Sequence, residues 1–406
     1  MLAQHFWAGF VQVWLRDEEE TANRILGKGP IVATIDQRRT LEHSTLVPYA
    51  PPRHLPLEKR LGRVLVTGAN GFLGSNLAVA LLNQGVDALA GVRSQKKIGR
   101  EIASQCKPIP YRDFALDSID AARRSMEGVD VVVHCAGRVA ASSYRQFLET
   151  NRRGTYHLYR AAAEMDRPPK IVLISSIAAH GPSMRGMKAR PNMEVGPVSL
   201  YGRSKWMGEM VARRFADRVP TTILRPGIIF GPGDKEVLML MKMIAASHVN
   251  FVPGYHFPRF PFIAVQDLVN CILQAIDVGA TVVSPQETGL SAATKNGEGV
   301  YFVADPQSCS FAQFGNWVSQ GLGQHWRLNI PVPIWILRLA AGINERFLTR
   351  PDKPSTFSVD KIREAAAPGW ECDVSKTMEE LDWSPNALLE ERVRETIQWY
   401  RQHKWL

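Results

Sequence analysis

The stretch RVLVTGANGFLGSNLAVALLNQG, residues 63–85, decides the fold of this chain. Its apolar, β-branched start, RVLVTG, predicts a short buried strand, while NLAVALLNQG has helical spacing and ends on a glycine. Between the two, Gly68, Gly71 and Gly74 recur at every third position. A glycine triplet that directly follows a strand and opens a helix is typical of a loop that binds a dinucleotide.

Each glycine of this loop has a separate physical task. Gly68 permits a tight turn, Gly71 lets the backbone approach a pyrophosphate, and Gly74 allows the helix to pack closely on the strand. The helix N-terminus then offers free N–H groups and a positive dipole end to the phosphates. The alternative is a glycine-rich turn without a ligand. The residues between the glycines that we expect at the cofactor are Asn70, Phe72 and Leu73.

Strand-like and helical segments alternate beyond the loop. The strand-like runs are DALAGVR (87–93), VDVVVHCAG (129–137), KIVLISS (170–176) and TTILRPGIIFG (221–231). Helical segments such as QFLETNRRGTYHLYRAAAEM (146–165) lie between them. This alternation predicts βαβ units and an α/β Rossmann fold with a doubly wound parallel sheet.

The 406 residues divide into three expected segments. Residues 1–60 end in the proline-rich VPYAPPRHLPLEKR and form an extension, which is a docking helix, a disordered tail or the product of a misassigned start codon. Residues 61–235 form the dinucleotide-binding domain. Residues 236–406 mainly form a smaller substrate-binding cap, from which some strands and helices return to the Rossmann core. The clearest cap segments are a strand, GVYFVAD, and an apolar helix opened by prolines, IPVPIWILRLAAGINERFL.

Composition narrows the classes of function. The net charge of +10 suggests attraction to anionic ligands or surfaces, but no block of five Lys/Arg residues occurs, so we expect no nucleic-acid partner. Five widely spread cysteines without metal-ligand spacing predict a reducing, cytoplasmic compartment and no metal site. No apolar run reaches the ~18 residues of a membrane-spanning helix. The N-terminus lacks the positive region and cleavage site of a signal peptide.

The end of the second strand bears on the choice between NAD and NADP. An acidic residue at that end would bind the ribose of NAD. Here the strand ends at Arg93, which Ser94, Lys96 and Lys97 follow. A guanidinium can pair with a 2′-phosphate, so we expect NADP rather than NAD. The alternative is that these cations are solvated loop charges.

Three other positions are expected near the cofactor. Asp113 is placed at the adenine edge from the third strand, with Asp117 as a competitor for that position. Ala136 and Gly137, after VVVHC, are small enough to let the chain pass close to the cofactor. His134 is expected to be a packed histidine rather than a ligand.

The sequence resembles the extended short-chain dehydrogenase/reductase family. That family includes NAD-dependent epimerases/dehydratases, 3β-hydroxysteroid dehydrogenases and dihydroflavonol reductases. The resemblance covers residues 62–405 and rests on six motifs in the family's order, TGANGFLG, VVVHCAG, NRRGT, LISSIAAHG, YGRSK and RPGIIFGPGD. Residues 1–60 have no counterpart in the common family pattern.

The resemblance implies a catalytic set, and residue chemistry supports it. Tyr201 would be the acid/base, although a phenol with a pKa near 10 is only about 0.1% ionised at pH 7. Lys205, one helical turn on, would favour the phenolate and bond the ribose hydroxyls. Ser176 would hydrogen-bond the substrate oxygen, and Asn151 matches an asparagine that helps hold a proton-relay water. The positions of the RPGIIFGPGD motif expected at the cofactor are Pro226 and Ile228.

The substrate class depends on two further motifs. Nucleotide-sugar epimerases of this family usually hold the diphosphate with an asparagine in RPxNVYGP and an arginine in RDFIHVxD. Here Ile228 and Phe260 occupy those positions, and Arg259 is one residue off, which points it to the other face of a strand. The apolar residues Ile229, Phe230 and Phe262 lie nearby, as pocket lining or as core.

These substitutions favour the 3β-hydroxysteroid-dehydrogenase-like branch and hydride transfer to or from an apolar, sterol-like or flavonol-like alcohol or ketone. A nucleotide-sugar 4-epimerase or dehydratase is the alternative, and a non-catalytic nucleotide-sensing protein is a third reading. The segment PIWILRLAAGINERFL (333–348) either packs within the cap or rests on a membrane surface. The resemblance also implies a homodimer through the two helices that carry Asn151 and Tyr201.

Overall fold

A seven-stranded, entirely parallel sheet organises this computed structural model. The structure describes residues 61–93, 111–193, 195–255, 258–287, 289, 291, 296–349 and 354–406. The predicted extension, residues 1–60, lies outside the described residues. So do Ser94, Lys96 and Lys97, which follow Arg93.

The strands have the following bounds: β1 Val64–Thr67, β2 Ala88–Val92, β3 Tyr111–Asp113, β4 Val131–His134, β5 Lys170–Ile174, β6 Thr221–Pro226, β7 Ile228–Phe230, β8 Val249–Pro253, β9 Arg259–Phe260, β10 Phe262–Ala264, β11 Val300–Val303, β12 Cys309–Ser310 and β13 Leu328–Val332. The large sheet has the order β3-β2-β1-β4-β5-β6-β11. Its first six strands run in the order of a Rossmann fold, which confirms the predicted fold class. Three two-stranded pairs, β7 with β10, β8 with β13 and β9 with β12, lie outside it.

The helices have the following bounds: α1 Phe72–Asn83, α2 Ile119–Ser125, α3 Tyr144–Leu148, α4 Thr155–Ala163, α5 Ile177–His180, α6 Leu200–Arg214, α7 Lys235–Ser247, α8 Val265–Asp277, α9 Phe311–Gly321, α10 Ile334–Ile343, α11 Val359–Ala365, α12 Ser375–Glu380 and α13 Leu389–Gln402. A π-helical turn, Glu149–Gly154, joins α3 to α4, and a second, Asn344–Leu348, follows α10. None of the helices in the described ranges is long and apolar enough to cross a membrane.

Both faces of the large sheet are covered. Val64 and Val66 of β1 pack into a cluster that includes α1 and α8, whereas Leu65 packs on the opposite face with Leu158 and Tyr159 of α4. This alternation follows from the two-residue period of a strand, and burial on both faces explains the continuous apolar runs in the sequence.

The predicted strand TTILRPGIIFG is divided between two sheets. It bends at Gly227, so that β6 stays in the large sheet and β7 pairs with β10. A Cβ atom on Gly227 would lie 1.9 Å from the Pro261 carbonyl oxygen, so only glycine fits at this crossing.

The predicted apolar helix begins later than expected. Residues Ile330 and Pro331 belong to β13, which pairs with β8, and α10 starts only at Ile334. The prediction of helix over 330–333 is therefore wrong. Pro331 and Pro333 are the physical reason, because each restricts the preceding residue to extended conformations.

Candidate active site

The glycine loop lies at the carboxyl end of β1. Gly68 has a φ angle of +67°, and a Cβ atom on it would lie 2.9 Å from backbone atoms of Ala136. A Cβ atom on Gly74 would lie 2.4 Å from the Gly68 carbonyl oxygen. Gly68 is therefore required both by its backbone conformation and by the close approach of Ala136, and Gly74 by its close approach to Gly68. Gly71 precedes α1 and donates its N–H to the Gly68 carbonyl at 2.9 Å.

The N-terminus of α1 suits an anionic ligand. No side chain caps it, and its first turn contains no acidic residue. The helix dipole and its first N–H groups are thus left for a ligand, as a pyrophosphate site requires. Around this end, Asn70 is exposed, whereas Phe72 and Leu73 are half-buried. These features fit the dinucleotide that the sequence predicts.

The ends of neighbouring strands complete the edge of the candidate cofactor site. Ala136 donates its N–H to the Thr67 hydroxyl at 3.1 Å, which fixes the chain after β4 beside the glycine loop. His134 lies 2.9 Å from the same hydroxyl, and burial lowers its pKa to about 3. This histidine is therefore a neutral packing residue in the structure, as the sequence suggests.

The remaining predicted cofactor positions lie at the same edge of the sheet. Arg93 directly follows β2 and is exposed. Asp113 is the last residue of β3, and its side chain lies outside what the structure describes. Pro226 ends β6 and Ile228 begins β7. Arg93, Asp113 and Pro226 therefore lie at the carboxyl edge of the large sheet, the edge that also carries the glycine loop, whereas Ile228 lies just beyond it in the pair of β7 with β10.

Tyr201 lies in the first turn of α6. The Ser199 side chain caps this helix by accepting the Gly202 N–H at 2.9 Å. Burial raises the pKa of the Tyr201 phenol above its usual value. The Lys361 charge and a side-chain hydrogen bond with Ser176 act in the opposite direction and favour the phenolate.

Ser176 connects the end of β5 to this phenol. It is the N-cap residue of α5, and its hydroxyl oxygen accepts the Ala178 N–H at 3.1 Å. The serine is buried, and it lies close enough to Tyr201 to lower the pKa of that phenol. A hydroxyl held in this way can stabilise charge on a substrate oxygen that also contacts Tyr201.

Lys205 lies one turn beyond Tyr201. Its ammonium group donates to the Ile174 carbonyl at 2.6 Å, and burial lowers its pKa to about 8. A Cβ atom on Gly137 would lie 3.4 Å from both the Lys205 ammonium and the Asn151 side-chain oxygen. Gly137 thus lies beside both side chains.

Asn151 lies in the π-helical turn between α3 and α4. Its side-chain oxygen accepts the Arg138 N–H at 2.8 Å. Its side-chain nitrogen donates to the Arg138 carbonyl at 3.0 Å and to the Ser204 hydroxyl at 2.8 Å. The side chain therefore ties the loop after β4 to α6. Single π-helical turns inside α-helices are frequent at functional sites.

A buried ion pair behind the site was missed by the sequence analysis. Arg225 of β6 donates two hydrogen bonds to the Glu209 carboxylate, at 2.9 and 2.6 Å, and Ser175 donates a third at 2.5 Å. Glu209 is fully buried. A signal for it existed, because Glu209 lies four residues after Lys205 on the same face of the helix.

The helix α11 brings further residues that the sequence analysis did not identify. The Asp360 carboxylate accepts the backbone N–H groups of Leu200 at 2.7 Å and Tyr201 at 3.0 Å. The Lys361 ammonium lies 4.7 Å from the centre of the Tyr201 ring and donates to Glu364 at 2.8 Å. No local pattern could signal these contacts, because about 160 residues separate the two segments.

Replacement of Lys361 by methionine is expected to shift the pH dependence of alcohol oxidation. If Tyr201 is the acid/base, as the family resemblance implies, oxidation requires its phenolate, and loss of the nearby positive charge raises the pKa of that phenol. The rising limb of the rate profile should therefore move to higher pH, by about one unit. Glu364 and Glu236 also act on the phenol and stay in place. The measurement is the logarithm of kcat against pH.

Lys376 provides a matched control for this change. Its ammonium lies 5.0 Å from the centre of the Tyr301 ring, far along the chain from Tyr201. Lys376→Met should leave the profile unchanged. If Lys361→Met leaves it unchanged as well, Lys361 has no influence on the acid/base.

The two positions that hold a diphosphate in sugar epimerases are occupied here by apolar side chains, Ile228 and Phe260, and the neighbouring Arg259 points to the other face of its strand. Phe260 is buried, whereas Arg259 is exposed and pairs with Glu371 at 3.5 Å. Adjacent residues of β9 thus point to opposite faces, as a strand requires. Ile228, in the other motif, is half-buried.

The sequence left open whether the phenylalanines near the diphosphate positions line a pocket or form core, and the structure answers this. Phe230, Phe260 and Phe262 belong to a packed aromatic cluster, in which Phe262 stacks on Phe314 with ring centres 4.4 Å apart. These three side chains are core rather than lining of an open pocket. Apolar residues give the same sequence signal in both settings.

Comparison with known proteins gives one family. The sequence model of the NAD dependent epimerase/dehydratase family matches residues 64–288, which is more than half of the chain. A UDP-glucose 4-epimerase of Vibrio cholerae is 24% identical over 350 residues, which cover 84% of this chain and 95% of that protein. A ceramide reductase of Caulobacter vibrioides is 27% identical over 356 residues, which cover 85% of this chain and 96% of that protein.

Two further similarities involve a steroid enzyme and a solved structure. A 3 beta-hydroxysteroid dehydrogenase/Delta 5-->4-isomerase of Mycobacterium tuberculosis is 26% identical over 310 residues, which cover 72% of this chain and 78% of that protein. The structure of a UDP-glucuronic acid 4-epimerase from Bacillus cereus, in complex with UDP-glucuronic acid and NAD, superposes with a TM-score of 0.63 at 19% identity. It covers 84% of this chain and 99% of that one. This last similarity concerns the fold.

Proposed function

Because this chain belongs to the NAD dependent epimerase/dehydratase family, we propose that it is an NAD(P)-dependent oxidoreductase that interconverts a secondary alcohol and a ketone on an apolar substrate. The observation that supports the proposal is the arrangement at the carboxyl edge of the sheet: Ser176 lies close to the Tyr201 phenol, and the Lys205 ammonium lies beside Gly137 in the loop after β4, next to the glycine loop. A nucleotide-sensing protein would need the loop and not this set.

The residues have separate tasks in the proposed reaction. The nicotinamide, when bound, supplies or accepts the hydride. Tyr201 exchanges the proton of the substrate hydroxyl, and Ser176 donates a hydrogen bond to the same oxygen. Lys205, one helical turn beyond Tyr201, offers donors to the ribose hydroxyls, and Lys361 holds positive charge beside the phenol. Asn151 holds the loop after β4 against α6 and is the residue that would help hold the proton-relay water.

The proposed substrate class depends on the residues at the two positions that bind the diphosphate in sugar epimerases. Phe260 is buried at the position of the expected arginine, and Arg259 is engaged by Glu371 and Ser308 on the other face. A sugar diphosphate would lack both of these usual partners. The similarity to a ceramide reductase and to a steroid dehydrogenase supports a lipid-like or polycyclic alcohol. The alternative, a nucleotide-sugar 4-epimerase or dehydratase, is favoured by the similarity to UDP-sugar epimerases.

The proposal includes NADP as the preferred cofactor, a homodimer and a cytoplasmic location. An exposed Arg93 at the end of β2 supports a 2′-phosphate partner. Exposed Trp206 and Met210, one turn apart on α6, support a partner helix at that face. The cysteines in the described part of the chain are free thiols, which supports a reducing compartment: Cys135, Cys271, Cys309 and Cys372.

A substrate screen tests this function. Purified protein is mixed with sterols, long-chain keto lipids, flavonol-type alcohols and nucleotide sugars, and the absorbance of NADPH and of NADH is followed. The nucleotide-sugar mixtures are also separated by chromatography, because an epimerase or dehydratase returns the hydride and leaves the cofactor unchanged. We expect turnover of an apolar alcohol or ketone, faster with NADPH than with NADH at limiting cofactor. Turnover of nucleotide sugars alone would overturn the proposed substrate class, and tighter binding of NADH would overturn the cofactor preference.

A further inference from the structure

The helix α10 is apolar, yet four of its ten residues are exposed and five are half-buried. Its sequence is IWILRLAAGI, and Ala341 is the one buried residue among its ten. By comparison, ten of the thirteen residues of α8 are buried. An apolar helix normally lies within a core, so one with an exposed apolar face marks a surface for binding something else.

The most exposed side chains of this segment form a single row. Trp335 is 67% exposed, Leu339 59% and Phe347 76%, and Ile343 is exposed as well. They recur at every fourth position, so they lie on one face of α10 and of the π-helical turn that continues it. We call these four residues the α10 row.

The charges beside the row are positive. Arg338 and Arg346 are both exposed. The acid of this segment, Glu345, is engaged, because its carboxylate accepts the Val359 N–H at 3.0 Å. A second copy of the chain docking symmetrically on this face would bring like charges together without an acidic partner from the segment. Phosphate head groups would complement both arginines.

We propose that the α10 row docks on the surface of a lipid bilayer that contains anionic phospholipid. The helix would lie in the plane of the membrane, with Trp335, Leu339, Ile343 and Phe347 inserted among the acyl chains. Ten residues span only about 15 Å, roughly half of the ~30 Å hydrocarbon layer, so the helix lies on the membrane and does not cross it. The net charge of +10 on the whole chain adds attraction to an anionic surface.

The surface lies next to the helix that contacts the catalytic tyrosine. The helix α10 packs against α11, and the Asn344 side chain donates to the Phe357 carbonyl at 2.7 Å just before α11. Lys361 of α11 in turn lies over the Tyr201 ring. If the proposed function holds, an apolar substrate dissolved in the bilayer would enter close to the acid/base. The docking itself does not depend on that function.

Vesicle sedimentation tests the docking without any turnover. The full-length protein is mixed with vesicles of phosphatidylcholine containing phosphatidylglycerol, and bound protein is measured in the pellet. Leu339→Glu and Phe347→Glu should each weaken binding about tenfold or more, because each places a charge in the acyl region. Both side chains are exposed, so the fold should be retained, which circular dichroism checks. Val278→Glu, at an exposed position after α8, is the matched control and should bind as the wild type does.

Comparison of the variants decides the result, because other parts of the chain can also bind lipid. Equal binding by wild type, Leu339→Glu and Phe347→Glu would overturn the proposal, as would no binding by the wild type. Sedimentation velocity without lipid addresses the competing occupant. Dimers that Leu339→Glu abolishes, while vesicle binding is unchanged, would assign the row to a second copy of the chain.

Discussion

Replacement of Tyr201 by phenylalanine is expected to lower kcat at least about a hundredfold with any substrate that the protein oxidises or reduces. The change removes one hydroxyl from a buried ring and leaves the packing with Phe147 intact. Lys205 and Ser176 remain, but neither replaces the phenol, because Lys205 is bonded to the Ile174 carbonyl and Ser176 caps α5. The measurement is single-turnover hydride transfer at saturating cofactor.

Cofactor affinity and a second tyrosine serve as controls. Fluorescence titration should show the same cofactor binding for Tyr201→Phe, because the glycine loop and Lys205 are unchanged. Tyr144 lies in the same small cluster, and its hydroxyl contacts only the Met207 sulfur among the contacts described. Tyr144→Phe should retain most of the activity. Turnover by Tyr201→Phe above about a hundredth of the wild-type rate would show that another group exchanges the proton.

Replacement of Glu209 by glutamine is expected to lower the free energy of unfolding by about 3–5 kcal/mol. The substitution keeps the shape of the side chain but leaves the Arg225 charge buried without its carboxylate. Burial alone would raise the pKa of the Glu209 carboxyl, but Arg225 and the Ser175 hydroxyl lower it below its usual value. Because the folded pKa is depressed, this stabilisation is present above the unfolded pKa and is lost as pH falls through the folded pKa.

Urea unfolding at neutral and acidic pH measures both effects. The difference between wild type and Glu209→Gln should be largest at neutral pH and should shrink in acid. Glu149 is the matched control, because its ion pairs with Arg145 and Arg153 are exposed and should contribute about 1 kcal/mol or less. If Glu209→Gln were no less stable than Glu149→Gln, the buried pair would contribute nothing net.

The parts of this site that the sequence predicts are those with local signals. The glycine loop combines an apolar strand, a spacing of three and a helical run within 63–85, so its place in the fold follows from short-range patterns. Tyr201 and Lys205 likewise lie four residues apart on one helix. The parallel direction of the strands follows from their alternation with helices, because each crossover helix returns the chain to the same end of the sheet.

The parts that the sequence could not predict depend on distant packing. Lys361 reaches the Tyr201 ring only because α11 packs on the start of α6. No pattern within either segment indicates that the two are in contact. The three core phenylalanines illustrate the same limit, because hydrophobicity indicates burial but not whether a ligand or another side chain covers the ring. The late start of α10 was in principle readable from the two prolines that precede it.

The contact between Asp360 and the start of α6 has a consequence for the timing of catalysis. Withdrawal of α11 would leave the N–H groups of Leu200 and Tyr201 without their acceptor, at a cost of about 1–3 kcal/mol for each if they stayed dry. These two hydrogen bonds therefore favour the assembled arrangement. The proposed acid/base, Tyr201, is then in place before the substrate arrives, and binding energy does not have to be spent on assembling it.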